Sequence, residues 1–487
     1  MGLHFVFVQK DPIPNLATMC LSAVLKEQGH TTHVLIDPAE RDIVRSIRRE
    51  DPDVVAFSAT TGQHVWQLAV ARAVKERFGP IVLMGGPHPT FYPKVLEENA
   101  CLDYVCMGEG EDCIVELARA LEHGVDVAGI PNLGWRDDDG TPIYNPLRGL
   151  EQNPDQWPFP DRACYDHYDF VRKRRTVSVM SARGCPYKCT FCFNVTMQEM
   201  YRGKGKYVRQ KSVDYMIAEL KDVMVRYPWV RQIGFADDIF VLNYRKWGKE
   251  FLRRYGEEIG LPFSCLLRPD LVTKELVQSL KEANCKLIKI GLESGVEELR
   301  VGVLKKGRLD NEGMRIAGQL IKEAGIKLYT FNIVGIPGET VEMAFETADL
   351  NIAMGADHAW ASICQPYPGT TLESWSIENG FLGEDGGDKD FQYSYFIDTP
   401  LQIERKEELC NMQKLLPLLV SYPWLRPLVR RAIELPANQA FELIFKAHYA
   451  AGLVKTGQID VQDMLRLIPL TANYWTDRGG TLDPGTM

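Results

Sequence analysis

From residue 4 to residue 364 short apolar runs alternate with stretches of helical periodicity, and that alternation admits few folds. A strand that crosses over through a helix returns as a parallel neighbour, so repeated strand–helix units build parallel sheets covered by helices. The alternation falls into two series. The first predicts strands over 4–8, 32–36, 54–58, 81–84 and 104–107, with amphipathic helices such as 16–28 and 65–78 between them. That is the α/β pattern of a five-stranded, flavodoxin-like (Rossmann-like) doubly wound sheet, in which ligands collect beyond the carboxyl ends of the strands. Those ends are small, polar or glycine-rich here: Pro14 after the first, Ser58, Thr60 and Thr61 after the third, Gly85, Gly86, Pro87 and His88 after the fourth, and Glu109 and Gly110 after the fifth. Together they outline one binding edge, in which His88 serves equally well as a turn residue bonding its own loop.

Between 126 and 172 the periodicity is lost. Segments 132–136 and 141–145 flank Asp137-Asp138-Asp139-Gly140, a hairpin with an Asp-Gly turn, and Pro154, Pro158 and Pro160 mark an extended linker. The second series predicts six strands, over 176–182, 232–236, 263–267, 287–292, 327–334 and 358–364, with helices including 214–227, 244–259 and 314–324. Six such units suit a partial (β/α)6 barrel, whose strand-end loops carry its chemistry. Past residue 372 the chain is irregular and then helical, clearest over 401–420 and 438–453. The expected division is 1–125, 126–172, 173–375 and 376–487, the last a helical domain capping the substrate. The mixture of apolar positions with Arg426, Arg430 and Arg431 fits such packing better than a membrane-surface helix.

Composition narrows the function. The chain has 487 residues, enough for several domains, with 45% hydrophobic content and a net charge of −9. No basic stripe offsets that charge, which argues against nucleic acid and for a small-molecule substrate. No basic, cleavable leader opens the sequence and no apolar run reaches membrane-spanning length, so the expected location is cytoplasmic. Twelve cysteines without a regular framework read as reduced thiols. Cys265, Cys285 and Cys364 lie on or beside strands and read as core.

Three cysteines stand apart. Cys185, Cys189 and Cys192 follow the first barrel strand in the run Arg-Gly-Cys-Pro-Tyr-Lys-Cys-Thr-Phe-Cys. Three thiolates on one loop can hold three irons of a cubane cluster and leave the fourth open to another ligand. A zinc knuckle needs a fourth protein ligand, and no second Cys or His pair lies close by.

The spacing C-x-x-x-C-x-x-C, with Gly184 before it and Phe191 inside it, resembles the signature of the radical S-adenosylmethionine (SAM) enzymes. The resemblance implies a 4Fe-4S cluster whose open iron SAM chelates, with Phe191 beside it. Later strand ends carry motifs similar to the family's. Asp237-Asp238 stands where a Gly-Gly-Glu motif meets the SAM ammonium, and Arg268 matches a residue that pairs with its carboxylate. Glu293 and Ser294 in Gly291-Leu292-Glu293-Ser294-Gly295 would reach the ribose or the amine. Gly335 and Pro337 in Gly335-Ile336-Pro337-Gly338-Glu339-Thr340 would lie against the adenine, and Gln365-Pro366-Tyr367-Pro368-Gly369-Thr370 closes the series. Lys305 and Lys306 read as a solvated face, with contact to the SAM carboxylate as the alternative. Trp360, Tyr393, Tyr395 and Phe396 are candidates for either core or substrate cavity.

The first domain resembles the cobalamin-binding domain that precedes many radical SAM cores, through Gly85-Gly86-Pro87-His88-Pro89-Thr90 and Gly108-Glu109-Gly110-Glu111. The D-x-H-x-x-G motif that supplies a cobalt ligand in mutases is absent, as is common in the radical SAM members. The resemblance therefore implies three cofactors, a 4Fe-4S cluster, SAM and cobalamin, and an external electron donor such as flavodoxin or ferredoxin. It implies cleavage of SAM to a 5′-deoxyadenosyl radical, hydrogen abstraction from an unactivated carbon, and C-methylation through methylcobalamin. Relatives of the same architecture include the anaerobic magnesium-protoporphyrin ester cyclase, so oxidative cyclisation stays open. A non-catalytic cobalamin sensor or carrier is the reading from another class. The methylthiotransferase pattern of three N-terminal cysteines is not matched by Cys20, Cys101, Cys106 and Cys113.

Overall fold

The computed structural model describes residues 2–307, 309–383 and 398–471, so Tyr393, Tyr395 and Phe396 lie outside the described residues. The chain divides into two units. One comprises the described residues of 1–173, 197–206 and 465–487; the other comprises those of 174–196 and 207–464.

The first unit holds a seven-stranded sheet: β1 (His4–Gln9), β2 (Thr31–Ile36), β3 (Val54–Ser58), β4 (Ile81–Gly85), β5 (Tyr104–Cys106), β6 (Leu133–Arg136) and β7 (Pro142–Tyr144). Its order is β2-β1-β3-β4-β5-β6-β7. The first five strands are parallel, and the order reverses between β1 and β3. Strand interiors are Val, Phe and Leu on both faces, as a sheet covered on two sides requires; Val54 and Val55 are both fully buried. Helix Leu16–Glu27 starts where the Asn15 side chain accepts from the Ala17 backbone N–H at 2.9 Å, and helix Gln63–Phe78 ends on left-handed Gly79. The hairpin expected between the domains is instead the edge of this sheet. β6 pairs antiparallel with β5, and β7 with β6, so the strand pattern continues where the helical crossovers stop.

The second unit begins with β8 (Thr176–Val179), and a short ladder pairs β9 (Ala182–Arg183) with β10 (Arg209–Gln210). The main sheet adds β11 (Gln232–Phe235), β12 (Phe263–Leu267), β13 (Cys285–Glu293), β14 (Lys327–Val334) and β15 (His358–Ile363). The order β15-β14-β13-β12-β11-β8 is sequential and parallel throughout, and β8 does not pair with β15, which is the open six-stranded barrel the sequence predicts. Ser212, Thr273, Asp310 and Thr340 each accept a backbone N–H at the start of the following helix. The helices expected over 401–420 and 438–453 form as Lys406–Ser421 and Gln439–Thr456. The first packs Leu409, Met412 and Leu416 in one core with Ala359, Ala361 and Phe345, on the outer face of β15.

Helix Gln439–Thr456 closes on a buried histidine. His358, 1% exposed, lies 5.4 Å from the His448 ring, and its Nε2 has no hydrogen-bond partner. Burial pushes the His358 imidazole down to about 3, with His448 and Lys455 adding to the effect. The native state thus favours the neutral ring, so this contribution is complete above the ordinary value of 6.5 and is lost as pH falls from there toward 3. Urea unfolding at pH 7 and pH 4 should show His358→Gln losing about 3 kcal/mol less stability than the parent over that interval.

Candidate functional site

The loop after β8 carries the three cysteines, and a buried carboxylate fixes its exit. Registry of Phe235 with Val179 brings Asp237, just past β11, beside Ser181. Asp237 Oδ1 accepts the Ser181 N–H at 3.0 Å, the Ala182 N–H at 2.7 Å and the Ser181 hydroxyl at 2.6 Å. The residue is 3% exposed, and burial pushes its carboxyl up to about 6 against the lowering effect of those bonds. Gly184 then turns the chain at φ +84, where a Cβ would stand 2.7 Å from the Tyr207 carbonyl oxygen, so only glycine fits. Further along, the Cys192 N–H donates to the Cys189 carbonyl at 3.0 Å, and the Thr190 hydroxyl to that of Val303 at 2.7 Å.

A cavity of about 410 Å³ opens at these strand ends, with Cys185, Cys189 and Cys192 on its wall. Among the described residues no three His, Cys, Asp or Glu side chains converge to hold a single metal ion. Thiolates that each take a different iron need not converge, so this donor set suits a cubane cluster with one open iron. Burial pushes the Cys185 thiol up to about 11 and raises that of Cys192. Two donors aim at the sulfurs: Arg268 Nη1 at Cys189 Sγ, 3.7 Å, and Asn194 Nδ2 at Cys192 Sγ, 3.4 Å. Hydrogen bonds of this kind stabilise thiolate and tune a cluster's potential.

Charged groups flank the cysteines. Arg268, after β12, is 6% exposed, stacks 3.5 Å over the Tyr187 ring, and donates to Asp270 at 2.9 Å. Glu293 ends β13 at φ +67, past a register shift, and meets Lys306 Nζ at 2.6 Å. Lys305 is exposed as expected, but Lys306 turns inward to the cavity, paired with Glu293 and 5.8 Å from the Phe191 ring. Asp238 lines the cavity, whereas Asp237 beside it points into the loop. Burial raises the Asp238 carboxyl, and an Asn194 hydrogen bond lowers it. These carboxylates and cations match the ammonium and carboxylate of an amino-acid ligand.

Other motif residues support the strand ends without lining the cavity. Ser294 is fully buried, its hydroxyl accepting the Val296 N–H at 3.2 Å. Glu339 Oε2 accepts the Gly335 and Ile336 N–H groups and so holds the turn that contains Pro337, while burial pushes its carboxyl up to about 8. Gln365, Tyr367 and Cys364 line the cavity, so the motif after β15 does reach it and Cys364 is not confined to the core. The apolar wall is Phe331, Ile333, Trp360 and Ile363, the Phe331 and Trp360 rings meeting edge to face at 5.5 Å. Sequence reasoning missed Asn194, for which the short spacing from Cys192 was the available signal, and it ranked a solvated face above ligand contact for Lys306, which lines the cavity.

In the first unit the motif residues gather at the carboxyl edge. Ser58 and Thr61 are half-buried, Thr60 and Pro87 exposed, and Pro14, Gly85, Glu109 and Gly110 half-buried. Gly86, at φ +96, leaves no room for a Cβ, which would stand 2.8 Å from Ala59 backbone atoms. His88 is buried, bonded through Nδ1 to Thr61 Oγ1 at 3.1 Å and stacked on His64 at 3.7 Å, so both turn and edge use the same ring. Its Nε2 is buried without a partner, and burial pushes the imidazole down to about 3. Thr90 Oγ1 accepts the Gly108 N–H at 2.9 Å, and Asn132 Nδ2 donates to the Glu109 carbonyl at 2.8 Å. The result is an edge of close backbone and hydroxyls, suited to a bulky cofactor with a polar tail.

Because the Asp237 contacts hold the cysteine loop from outside the cavity, Asp237→Ala should cost roughly 2–4 kcal/mol in urea unfolding, leaving the buried Ser181 and half-buried Ala182 N–H groups unpaired. Iron content per chain after reconstitution should fall with it.

Comparison with known proteins agrees with both halves. Residues 6–118 match the B12 binding domain, and residues 179–350 match the Radical SAM superfamily. An uncharacterized methyltransferase of Pyrococcus horikoshii is 31% identical over 381 residues, covering 76% of this chain and 80% of that protein. The anaerobic magnesium-protoporphyrin IX monomethyl ester cyclase of Rubrivivax gelatinosus is 25% identical over 373 residues, covering 72% of this chain and 64% of the cyclase. Among solved structures, the radical SAM methyltransferase TsrM of Kitasatospora setae, with cobalamin and a [4Fe-4S] cluster bound, shares the fold at a TM-score of 0.64 and 21% identity, covering 78% of this chain and 75% of TsrM. The chain therefore belongs to the radical SAM enzymes that carry a B12-binding domain, whose cofactors are a 4Fe-4S cluster, S-adenosylmethionine and cobalamin.

Proposed function

We propose that this enzyme methylates an unactivated carbon of a small molecule in the cytoplasm, drawing electrons from a flavodoxin or ferredoxin. The observation that carries the reading is the set of three thiols, with no fourth cysteine of that loop among the described residues, on the wall of a cavity that also holds Arg268, Asp238 and the Glu293–Lys306 pair. Methyl transfer rests on the relative named as a methyltransferase at 31% identity. The cyclase relative supports oxidative cyclisation as the second reading.

Cys185, Cys189 and Cys192 would hold the cluster, and the edge formed by Pro14, Ser58, Thr60, Thr61, Gly85 to His88, Glu109 and Gly110 would hold cobalamin. When bound, the cluster supplies the electron that splits SAM into methionine and a 5′-deoxyadenosyl radical, and cobalamin supplies a transferable methyl group. The chain's own residues position these reactants. Asp238 and Glu293 offer carboxylates to the SAM ammonium, and Arg268 and Lys306 offer donors to its carboxylate. Phe191 covers the pair from the cysteine loop. Asp237 acts on SAM indirectly, through the loop it pins, and Glu339 does so through the Gly335 to Pro337 turn. The apolar wall of Phe331, Ile333 and Trp360 keeps water from the carbon radical.

Anaerobic reconstitution with iron, sulfide and cobalamin tests the reading. Replacing any of Cys185, Cys189 or Cys192 with alanine should abolish both the iron–sulfur absorption and all SAM cleavage. With substrate present, equal 5′-deoxyadenosine and S-adenosylhomocysteine mark methyl transfer; deoxyadenosine alone assigns the enzyme to oxidation or cyclisation.

A further inference from the structure

The cavity at the strand ends continues onto the inward face of the barrel sheet. Each of the six strands has a partly or fully exposed position on the inward face: Ser178 on β8, Gly234 on β11, Leu266 on β12, Lys289 on β13, Phe331 on β14, and Trp360 with Ser362 on β15. Four of these, Leu266, Phe331, Trp360 and Ser362, line the cavity beneath the cysteines. Parallel registry sets the remaining ones beside them. Lys289 is the Cα partner of Leu266 and of Tyr329, and Gly234 is the partner of Ser178 and Ser264. Lys289 also precedes cavity-lining Gly291 by two residues, so the two side chains leave β13 on the same face. Ser178, Gly234 and Ser264, all small, stand on β8, β11 and β12 on the face that Lys289 shares.

Lys289 differs from the other cations here. Arg268 is bonded to Asp270, and Lys306 to Glu293. No ion pair or hydrogen bond reaches Lys289 among the described residues, although it is half-buried on a central strand. Burial lowers its ammonium below the usual lysine range, with the Cys265 thiol acting weakly the other way. A half-buried cation without an anion is unfavourable, and a bound anion removes the penalty.

We propose that Lys289 anchors an anionic oxygen group of the substrate, a carboxylate in the simplest case, at the floor of the open barrel, with an apolar ring body against Phe331 and Trp360. The proposal rests on the reading that this cavity is the reaction site and adds the substrate class: a small organic acid with an apolar or aromatic body. The SAM carboxylate carries the same chemistry, so the test separates the two sources. Lys289 sits four residues before Glu293 on β13, below the layer in which Arg268 and Lys306 stand ready for SAM.

Full-length protein, reconstituted with its cluster and saturated with SAM, is titrated calorimetrically with indole-3-propionate and with neutral indole-3-propionamide, which share one ring body. A panel of other arylalkanoic acids and their amides accompanies them. The acids should bind about tenfold tighter than their amides. Lys289→Met should erase that preference and Lys289→Arg should keep it. In the parent protein, the acid but not the amide should slow acetylation of Lys289 by an amine-specific reagent several-fold, a readout independent of any variant's folding. Equal binding of acid and amide, a preference surviving in Lys289→Met, or failure of every acid to bind overturns the proposal. So does a parallel loss of SAM affinity in Lys289→Met, which assigns the lysine to the SAM carboxylate. SAM cleavage by the parent protein under dithionite reads the reaction class separately; its absence retires methyl transfer and leaves the acid-over-amide comparison intact.

Discussion

Six strands running in one direction place every strand-to-helix loop of the barrel along one edge, and the site depends on that constraint. Residues far apart in sequence, Cys185, Asp238, Arg268, Glu293 and Gln365, line one cavity because each follows or ends a strand of the same sheet. Parallel pairing fixes their height as well as their side. Registry of Phe235 with Val179 is what lets Asp237 reach the backbone of Ser181 and Ala182. The cysteine loop is thereby held by a neighbour in the sheet instead of by its own short sequence.

Charge compensation organises the cavity wall. Asp270 neutralises Arg268, which also stacks on Tyr187 and approaches Cys189 Sγ. Glu293, bent out of the strand by a positive φ, neutralises Lys306. Buried ions are costly unless paired, so these pairs hold cations at the cavity without a ligand's help. They also hold them in place, since an Arg or Lys with a fixed partner has lost most of its rotamer freedom before a carboxylate arrives. Lys289 lacks such a partner among the described residues, which is the basis for assigning it to a ligand's anion.

Much of the architecture was legible because each strand carries its own signal. The β12 and β14 boundaries match the predicted ones, and Val- and Ile-rich runs bounded by Gly, Pro and Asp set most others to within two or three residues. The Asp-Gly hairpin was also legible, but not its destination: β6 pairs with β5 because the last parallel strand leaves an open edge, a fact about the whole sheet. Among site residues, the cysteines were readable from spacing alone. Lys305 and Lys306 carry the same signal in sequence, and only the fold shows that Lys306 turns to Glu293 while Lys305 faces water. In the same way Asp237 and Asp238 look equivalent in sequence, and alternate sides of the chain give them different tasks.

The sequence by itself determined the two parallel sheets, the cysteine loop, and the placement of polar motifs at strand ends, because periodicity and turn chemistry are local. Tertiary structure alone decided which of those motif residues face the cavity, which brace it, and that Lys289, on a central strand, has no anion beside it among the described residues. Burial, registry and pairing depend on neighbours from distant strands. Ser294 and Glu339 became supports, and Lys306 became part of the cavity wall, for that reason.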